Sequence, residues 1–307
     1  MNNQPLITVA ICTYNRADYL ADTLDALAPQ ASDPSLCEIL VIDNNSTDST
    51  GSVCKDFAGK HTGLEFRYFK EESQGLSFAR NRAVHEAAAD SILFIDDDVV
   101  PDQHFIEAAA GYIERYPDVM CAGGRIFVSF DEADPGWIPK QLMPMFGLHD
   151  LGSEVMQYPK SNFPRGGNMM IRREVFDTCG MFDTELGRKA GHLLGSEEKA
   201  FFAKVREEGY SLYYWPEMQL HHRIGAKRLT NSYLKRQSEG IGRSERIRVQ
   251  SSVLSTAVKL LSECIKLFGS LILSLGYLIR GKKRAAALLI RFRIWVLAGF
   301  LKPQDPV

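Results

Sequence analysis

A chain of 307 residues, 45% hydrophobic and 24% charged, has room for one large α/β domain plus an appendage and an ordinary globular composition. A formal net charge of −2 argues against a generally nucleic-acid-binding surface. The six cysteines, Cys12, Cys37, Cys54, Cys121, Cys179 and Cys264, form no CxxC pair, which argues against a zinc site and for reduced thiols.

Residues 6–11 form an apolar run that predicts a first strand, and it leads into Thr13-Tyr14-Asn15-Arg16. No basic region with an apolar core precedes it, so no signal peptide is expected. Leu20, Leu24 and Leu27 then mark a helix face. Residues 38–42 predict a second strand ending in Asp43-Asn44-Asn45-Ser46-Thr47-Asp48, side chains suited to a tight loop and a helix N-cap. Residues 64–69 predict a third strand. Gln74-Gly75-Leu76-Ser77 turns into a helix carrying Ala79, Arg80, Asn81, Ala83 and Val84. Residues 92–95 predict a fourth strand. Asp96, Asp97 and Asp98 follow at once, and Pro101 is expected to end the ladder.

Strand alternating with helix predicts βαβ units and a largely parallel sheet. Such a sheet places Tyr14, Asp43 and the acidic triplet at one edge, where α/β sheets bind ligands. Three adjacent carboxylates repel one another. They are tolerable as a solvated acidic turn, or where a cation neutralises them. Oxygen ligation with open positions suits Mg²⁺ or Mn²⁺.

The order Thr-Tyr-Asn-Arg, Asp-Asn-Asn-Ser-Thr-Asp, Ala-Arg-Asn and Asp-Asp-Asp resembles a family 2 glycosyltransferase of the bacterial polysaccharide-biosynthesis type. The resemblance implies a GT-A fold, with a mostly parallel central sheet flanked by helices. It implies a nucleotide-sugar site built from Thr13, Tyr14, Asn15, Arg16, Asp43, Arg80, Asp96 and Asp97. Tyr14 would stack on the base, Asp43 would bind its edge, and Arg80 would lie near the phosphates or ribose. Asp96 would face the ribose and metal waters, with Asp98 as a direct metal ligand. No glycine-rich phosphate loop follows the first strand, which counts against dinucleotide oxidoreductases and P-loop enzymes.

Residues 105–116 predict a helix and 126–130 a strand. Residues 131–158 are irregular and rich in proline, methionine and aromatics, and read as an acceptor-side or lid segment or as packing. In the family a Gly-Asn pair begins a strand beside the donor sugar, which makes Gly167 and Asn168 site candidates. Gly180-Met181-Phe182-Asp183 matches a structural turn. Gly195-Ser196-Glu197-Glu198-Lys199 opens a helix with Phe201, Phe202 and Val205 on its apolar face. The family's second acid at this point is the catalytic base. That register selects Glu198, with Glu197 as the other candidate; both acids also suit a helix N-terminus. Residues 212–215 predict a strand before Pro216. His222, six residues beyond, is implied as a third metal ligand beside Asp96 and Asp98.

Residues 232–248 predict a basic polar helix. Residues 267–279 are apolar but span only about 20 Å as helix, short of the roughly 30 Å hydrocarbon layer. Arg280, Lys282, Lys283, Arg284, Arg291, Arg293 and Trp295 follow among apolar residues. These features predict peripheral contact with an anionic membrane surface, or else a helical hairpin packed on protein. The expected organisation is a GT-A catalytic domain over 1–245 and a membrane-associated extension over 246–307. The expected protein is a cytoplasmic, metal-dependent inverting glycosyltransferase at the inner face of the cell membrane. It would take a nucleotide sugar, UDP-linked by default, and a glycan or lipid-linked acceptor of envelope or extracellular polysaccharide. A nucleotidyltransferase and a catalytically silent envelope scaffold are the alternatives.

Overall fold

The structure, a computed structural model, describes residues 4–186, 197–249 and 252–302. The first half of the chain alternates strand and helix. Its elements are β1 (Ile7–Thr13), α1 (Ala17–Leu27), β2 (Cys37–Asp43), α2 (Thr50–Lys60), β3 (Phe66–Lys70), α3 (Leu76–Glu86) and β4 (Ser91–Asp96). Then come β5 (Val99–Pro101), α4 (Phe105–Arg115), β6 (Cys121–Phe130), β7 (Met156–Gln157), β8 (Asn168–Arg172) and α5 (Arg173–Cys179). α6 (Glu197–Glu207), β9 (Leu212–Ile224), α7 (Asn231–Val249), α8 (Val253–Ile279) and α9 (Lys283–Leu301) complete the order. Gly195 and Ser196, expected to open α6, lie outside the described residues.

Among the described residues nine strands form one sheet, in the order β3-β2-β1-β4-β8-β6-β9-β5 with β7 on β9. β3, β2, β1 and β4 are mutually parallel, whereas β8 runs antiparallel to both β4 and β6. β1, β2 and β4 are buried almost throughout, because helices cover both faces, and this is why they read as continuous apolar runs. Their side chains still alternate. Val9 and Ile11 join a core with α1, α2 and α4, while Ala10 joins another with α3, α5 and α6.

Three details depart from expectation. Pro101 takes the last rung of β5, opposite Leu220, because a terminal strand residue needs no N–H. β9 continues past Pro216 to Ile224, pairing with β7 before the proline and with β5 after it. The irregular stretch holds a 3₁₀ turn over Lys140–Phe146, a bridge from Ile126 to His149, and β7.

Contacts divide the chain into two units. One holds the sheet through Ser129, the chain from Gly147, and Glu197–Arg223; the other holds Phe130–Phe146 and everything from Ile224 onward. In the second unit α7 and α9 cross closely. A Cβ on Gly242 would overlap the Val296 carbonyl, and one on Gly299 would overlap the Glu239 carbonyl. The expected boundary between residues 245 and 246 falls inside α7.

Candidate active site

Register places the candidate side chains at one sheet edge. Thr13 pairs with Asp43, and Cys12 with Asp96, so three neighbouring parallel strands end together. The chain then turns through Asp97 and Asp98. Thr23 on α1 fixes this turn by donating to the carbonyls of Asp97 and Val99, at 2.9 and 2.7 Å.

Asp97 is buried and points back into the first loop. Its carboxylate accepts from the Thr13 hydroxyl at 2.8 Å and from Arg16 Nη1 at 2.9 Å. Burial pushes its carboxyl up to about 6, against the opposing pull of Arg16. Arg16 Nη1 also reaches Asp98 Oδ2 at 2.6 Å. Burial works against the Arg16 charge, but Asp97 and then Asp98 outweigh it and raise its pKa.

Asp98 Oδ1 lies 3.3 Å from His222 Nε2. The pairing of β5 with β9 causes this, since Val99 sits opposite His222. One ligand atom each from Asp96, Asp98 and His222 falls within 4.8 Å of the others. Gly147, at φ +100°, backs the imidazole so closely that a Cβ there would lie 2.5 Å from His222 Nδ1. Two carboxylates and one imidazole, the imidazole backed by Gly147, are a donor set that fits Mn²⁺ or Mg²⁺.

The loops around this centre are tied by their own polar side chains. Asn15, at φ +51°, accepts from the Thr47 and Asp48 amides through Oδ1, at 2.7 and 3.3 Å. Asp48 accepts from the first amide of α1. Asn44 accepts from the Gly75 amide and donates to the Ser73 carbonyl. Asn15 therefore spends its side chain on the loop scaffold. Asp43 accepts from the Tyr68 hydroxyl at 2.7 Å and the Ser46 amide at 2.8 Å. Its remaining lone pairs are what a ligand could use. Tyr14, between these loops, is 38% exposed, a large aromatic surface held at the strand ends.

The second half of the site centres on Arg80. It is buried in α3 and forks to α6, with Nη1 3.2 Å from Glu197 Oε1 and Nη2 3.0 Å from Glu198 Oε1. Its guanidinium also lies over the Phe182 ring. Burial disfavours the Arg80 charge, yet Glu198, then Glu197 and Asp96, raise its pKa. The two acids differ in access: the Glu197 side chain is 2% exposed and that of Glu198 24%. Arg80, expected near phosphates or ribose, is thus engaged by both acids.

Gly166 and Gly167 join the halves. A Cβ on Gly166 would overlap Glu198 Oε1 and Arg80 Nη2, and one on Gly167 would lie 2.8 Å from Asp96 Oδ2. Consecutive backbone positions therefore touch the carboxylate pair and the acidic cluster. Asn168, the next residue, sews strands together by donating to the carbonyls of Arg125 and Met218, at 3.1 and 2.7 Å. Thr23, Gly147 and Gly166 were not singled out from sequence. Gly166 had a signal in its Gly-Gly pair, whereas the other two act through contacts distant in the chain.

A mixed α/β sheet whose parallel strands end in an acidic cluster facing a carboxylate pair is the architecture of a GT-A glycosyltransferase. The chain belongs to glycosyl transferase family 2, whose model matches residues 8–180. It is 23% identical over 245 residues to a glucosyl-dolichyl phosphate glucuronosyltransferase of Haloferax volcanii, covering 78% of this chain and 76% of that one. It is 30% identical over 208 residues to glycosyltransferase GlyA of Streptococcus pneumoniae, covering 66% of this chain but only 27% of that protein. Its fold is similar to that of mannosyltransferase PcManGT from Pyrobaculum calidifontis, solved in complex with GDP-Man and Mn²⁺. The TM-score is 0.61 at 18% identity, over 95% of this chain and 86% of that one.

Proposed function

We propose that the protein is a metal-dependent, inverting glycosyltransferase. It would move a sugar from a nucleotide-sugar donor, UDP-linked by preference, to a hydroxyl of a glycan or lipid-linked acceptor of envelope or extracellular polysaccharide. The observation that carries this reading is the Gly166-Gly167 junction, which sets Glu198 and Asp96 on either side of one dipeptide. Family membership favours glycosyl transfer over nucleotidyl transfer and over a silent scaffold. Mn²⁺ in the PcManGT structure and a dolichyl-phosphate-linked substrate in the name of the Haloferax relative support the metal and the lipid-linked acceptor.

Asp96, Asp98 and His222 would hold the cation, which when bound offsets charge on a departing diphosphate. Tyr14 stacks on the base and Asp43 accepts from its edge, with Thr13, Arg16 and Asp97 bracing that loop. Gly167 lets backbone approach the donor sugar, and Asn168 fixes the strand that carries it. Glu198, the more accessible acid, accepts the proton of the acceptor hydroxyl. The acceptor oxygen forms the new bond to the anomeric carbon from the face opposite the leaving group, and the bond to the diphosphate breaks. Glu197 and Arg80 position Glu198.

Residues 1–245 carry catalysis, and 246–307 bring the enzyme to the cytoplasmic face of the membrane, where a lipid-linked acceptor resides. Among the described residues, no helix is long and apolar enough to cross a membrane. The test is release of nucleoside diphosphate from a panel of nucleotide sugars, with Mn²⁺ and with EDTA. Turnover of one donor that EDTA stops is the expected result, and turnover unaffected by EDTA would refute the metal assignment.

A further inference from the structure

α8 is amphipathic the wrong way round for a helix packed in a soluble protein. Its buried residues are Glu263, Ser270 and Ser274. Glu263 faces Lys259, Lys266 and Arg293, and the Ser274 hydroxyl donates to the Ala286 carbonyl of α9 at 3.1 Å. The opposite face is an apolar stripe at spacings of three and four from Leu254 to Ile279, with Leu261, Ile265, Phe268 and Ile272 at its centre. Members of this stripe are 60–80% exposed. α9 is the reverse, burying Leu288, Leu289, Phe292 and Val296, and so acts as the support of α8. A contiguous apolar face along about 40 Å of helix is a contact surface for something.

Charge identifies the occupant. Between Cys264 and Lys302 the sequence has eight Lys and Arg and no Asp or Glu. Arg280 and Lys282 lie in the exposed turn that joins α8 to α9, and Lys283 and Arg284, also exposed, begin α9. Positions flanking the stripe carry Ser262, Gly269 and Gly276, not the paired opposite charges that specify a coiled-coil partner. We infer that α8 is an in-plane insertion helix. Its outward face enters the headgroup–acyl boundary of an anionic bilayer, and the basic turn holds it there. This rests on the proposed membrane location and deepens it by assigning insertion to α8 and support to α9.

Cys264, beside the stripe, is an exposed thiol, whereas Cys12 is only partly accessible and burial pushes its thiol up to about 12. A thiol-reactive NBD probe on the full-length chain therefore reports from α8. The vesicles are phosphatidylcholine with and without 30% phosphatidylserine. The labelled protein should pellet with the anionic vesicles at low salt and its emission should shift to the blue. The Phe268→Asp/Ile272→Asp variant, altered only at exposed sites, should keep its unfolding midpoint and partition at least roughly tenfold more weakly. If wild type and variant pellet equally with no blue shift, the membrane location stands on charge alone and the insertion is refuted. If wild type ignores all vesicles, both readings fall. A solution dimer that the aspartates dissolve, without vesicle binding, would show that the stripe is a seam for a second copy.

Discussion

Arg80 Nη2 lies 3.0 Å from Glu198 Oε1, and the same guanidinium holds Glu197 through Nη1 at 3.2 Å. One buried cation thus sets the positions of both acids at the start of α6. Removing it takes one member out of a buried ion pair, so Arg80→Gln should destabilise the protein by about 3–5 kcal/mol. Arg80→Lys keeps the charge but loses the fork, and should cost less. Urea unfolding measures both; an Arg80→Gln midpoint equal to wild type would mean that the ion pair does not anchor α6.

The glycine junction makes a separate prediction. Gly166→Ala forces a Cβ into Glu198 and Arg80, and should lower kcat at least tenfold with about 1–3 kcal/mol of destabilisation. Gly59→Ala on α2 meets nothing within 4 Å and removes a helix glycine, so it should be neutral or stabilising by up to about 1 kcal/mol. Parallel thermal melts and kinetics compare the two. Equal behaviour would contradict the close packing at Gly166.

Metal binding should depend on both sides of the β5–β9 pairing. Asp98→Asn and His222→Ala should each weaken Mn²⁺-dependent nucleotide binding by at least roughly tenfold. Isothermal titration with Mn²⁺ and nucleoside diphosphate reads this directly. Binding that survives in both variants and in EDTA would remove the cluster from the site.

His149 gives the fold a pH dependence. Burial lowers its pKa to about 4 from the ordinary histidine value of 6.5, and its Nε2 lies 2.7 Å from the Tyr158 hydroxyl, whose own pKa burial raises. A phenol kept protonated donates to a neutral imidazole. The folded-state pKa is depressed, so the unfolded chain binds the extra proton between the two values. The stabilisation is present above about 6.5 and is lost as pH falls toward 4, on the order of 3 kcal/mol. Denaturation curves from pH 7.5 to 4.5 should flatten in His149→Gln; an unchanged slope would assign the acid sensitivity elsewhere.

Much of this site was legible because its residues follow strand ends. Thr13, Asp43 and Asp96 close short apolar runs, and parallel pairing brings such termini together. His222 was placed by the family resemblance, which puts a histidine six residues after such a proline, and the two lie within one continuous strand. α2 and α5 left weak signals; α2 buries only Thr50, Cys54 and Phe57. The side-chain economy was not legible. Sequence spacing does not encode that Asn15 braces a loop, that Arg80 faces acids 117 and 118 positions away, or that Gly147 backs His222. The same holds for α8 and α9, both apolar and basic in sequence, of which one is exposed and the other packed.

The assignment of the base is tested most directly by steady-state and binding measurements on Glu198→Gln and Glu197→Gln at saturating Mn²⁺ with an active donor. Glu198→Gln should lower kcat by roughly 10²–10⁴-fold and leave donor affinity nearly unchanged, since the amide keeps the shape but cannot take the proton. Glu197→Gln should mainly lower the unfolding midpoint, because its partner Arg80 is buried with it. The account is contradicted if Glu197→Gln abolishes turnover while Glu198→Gln remains active.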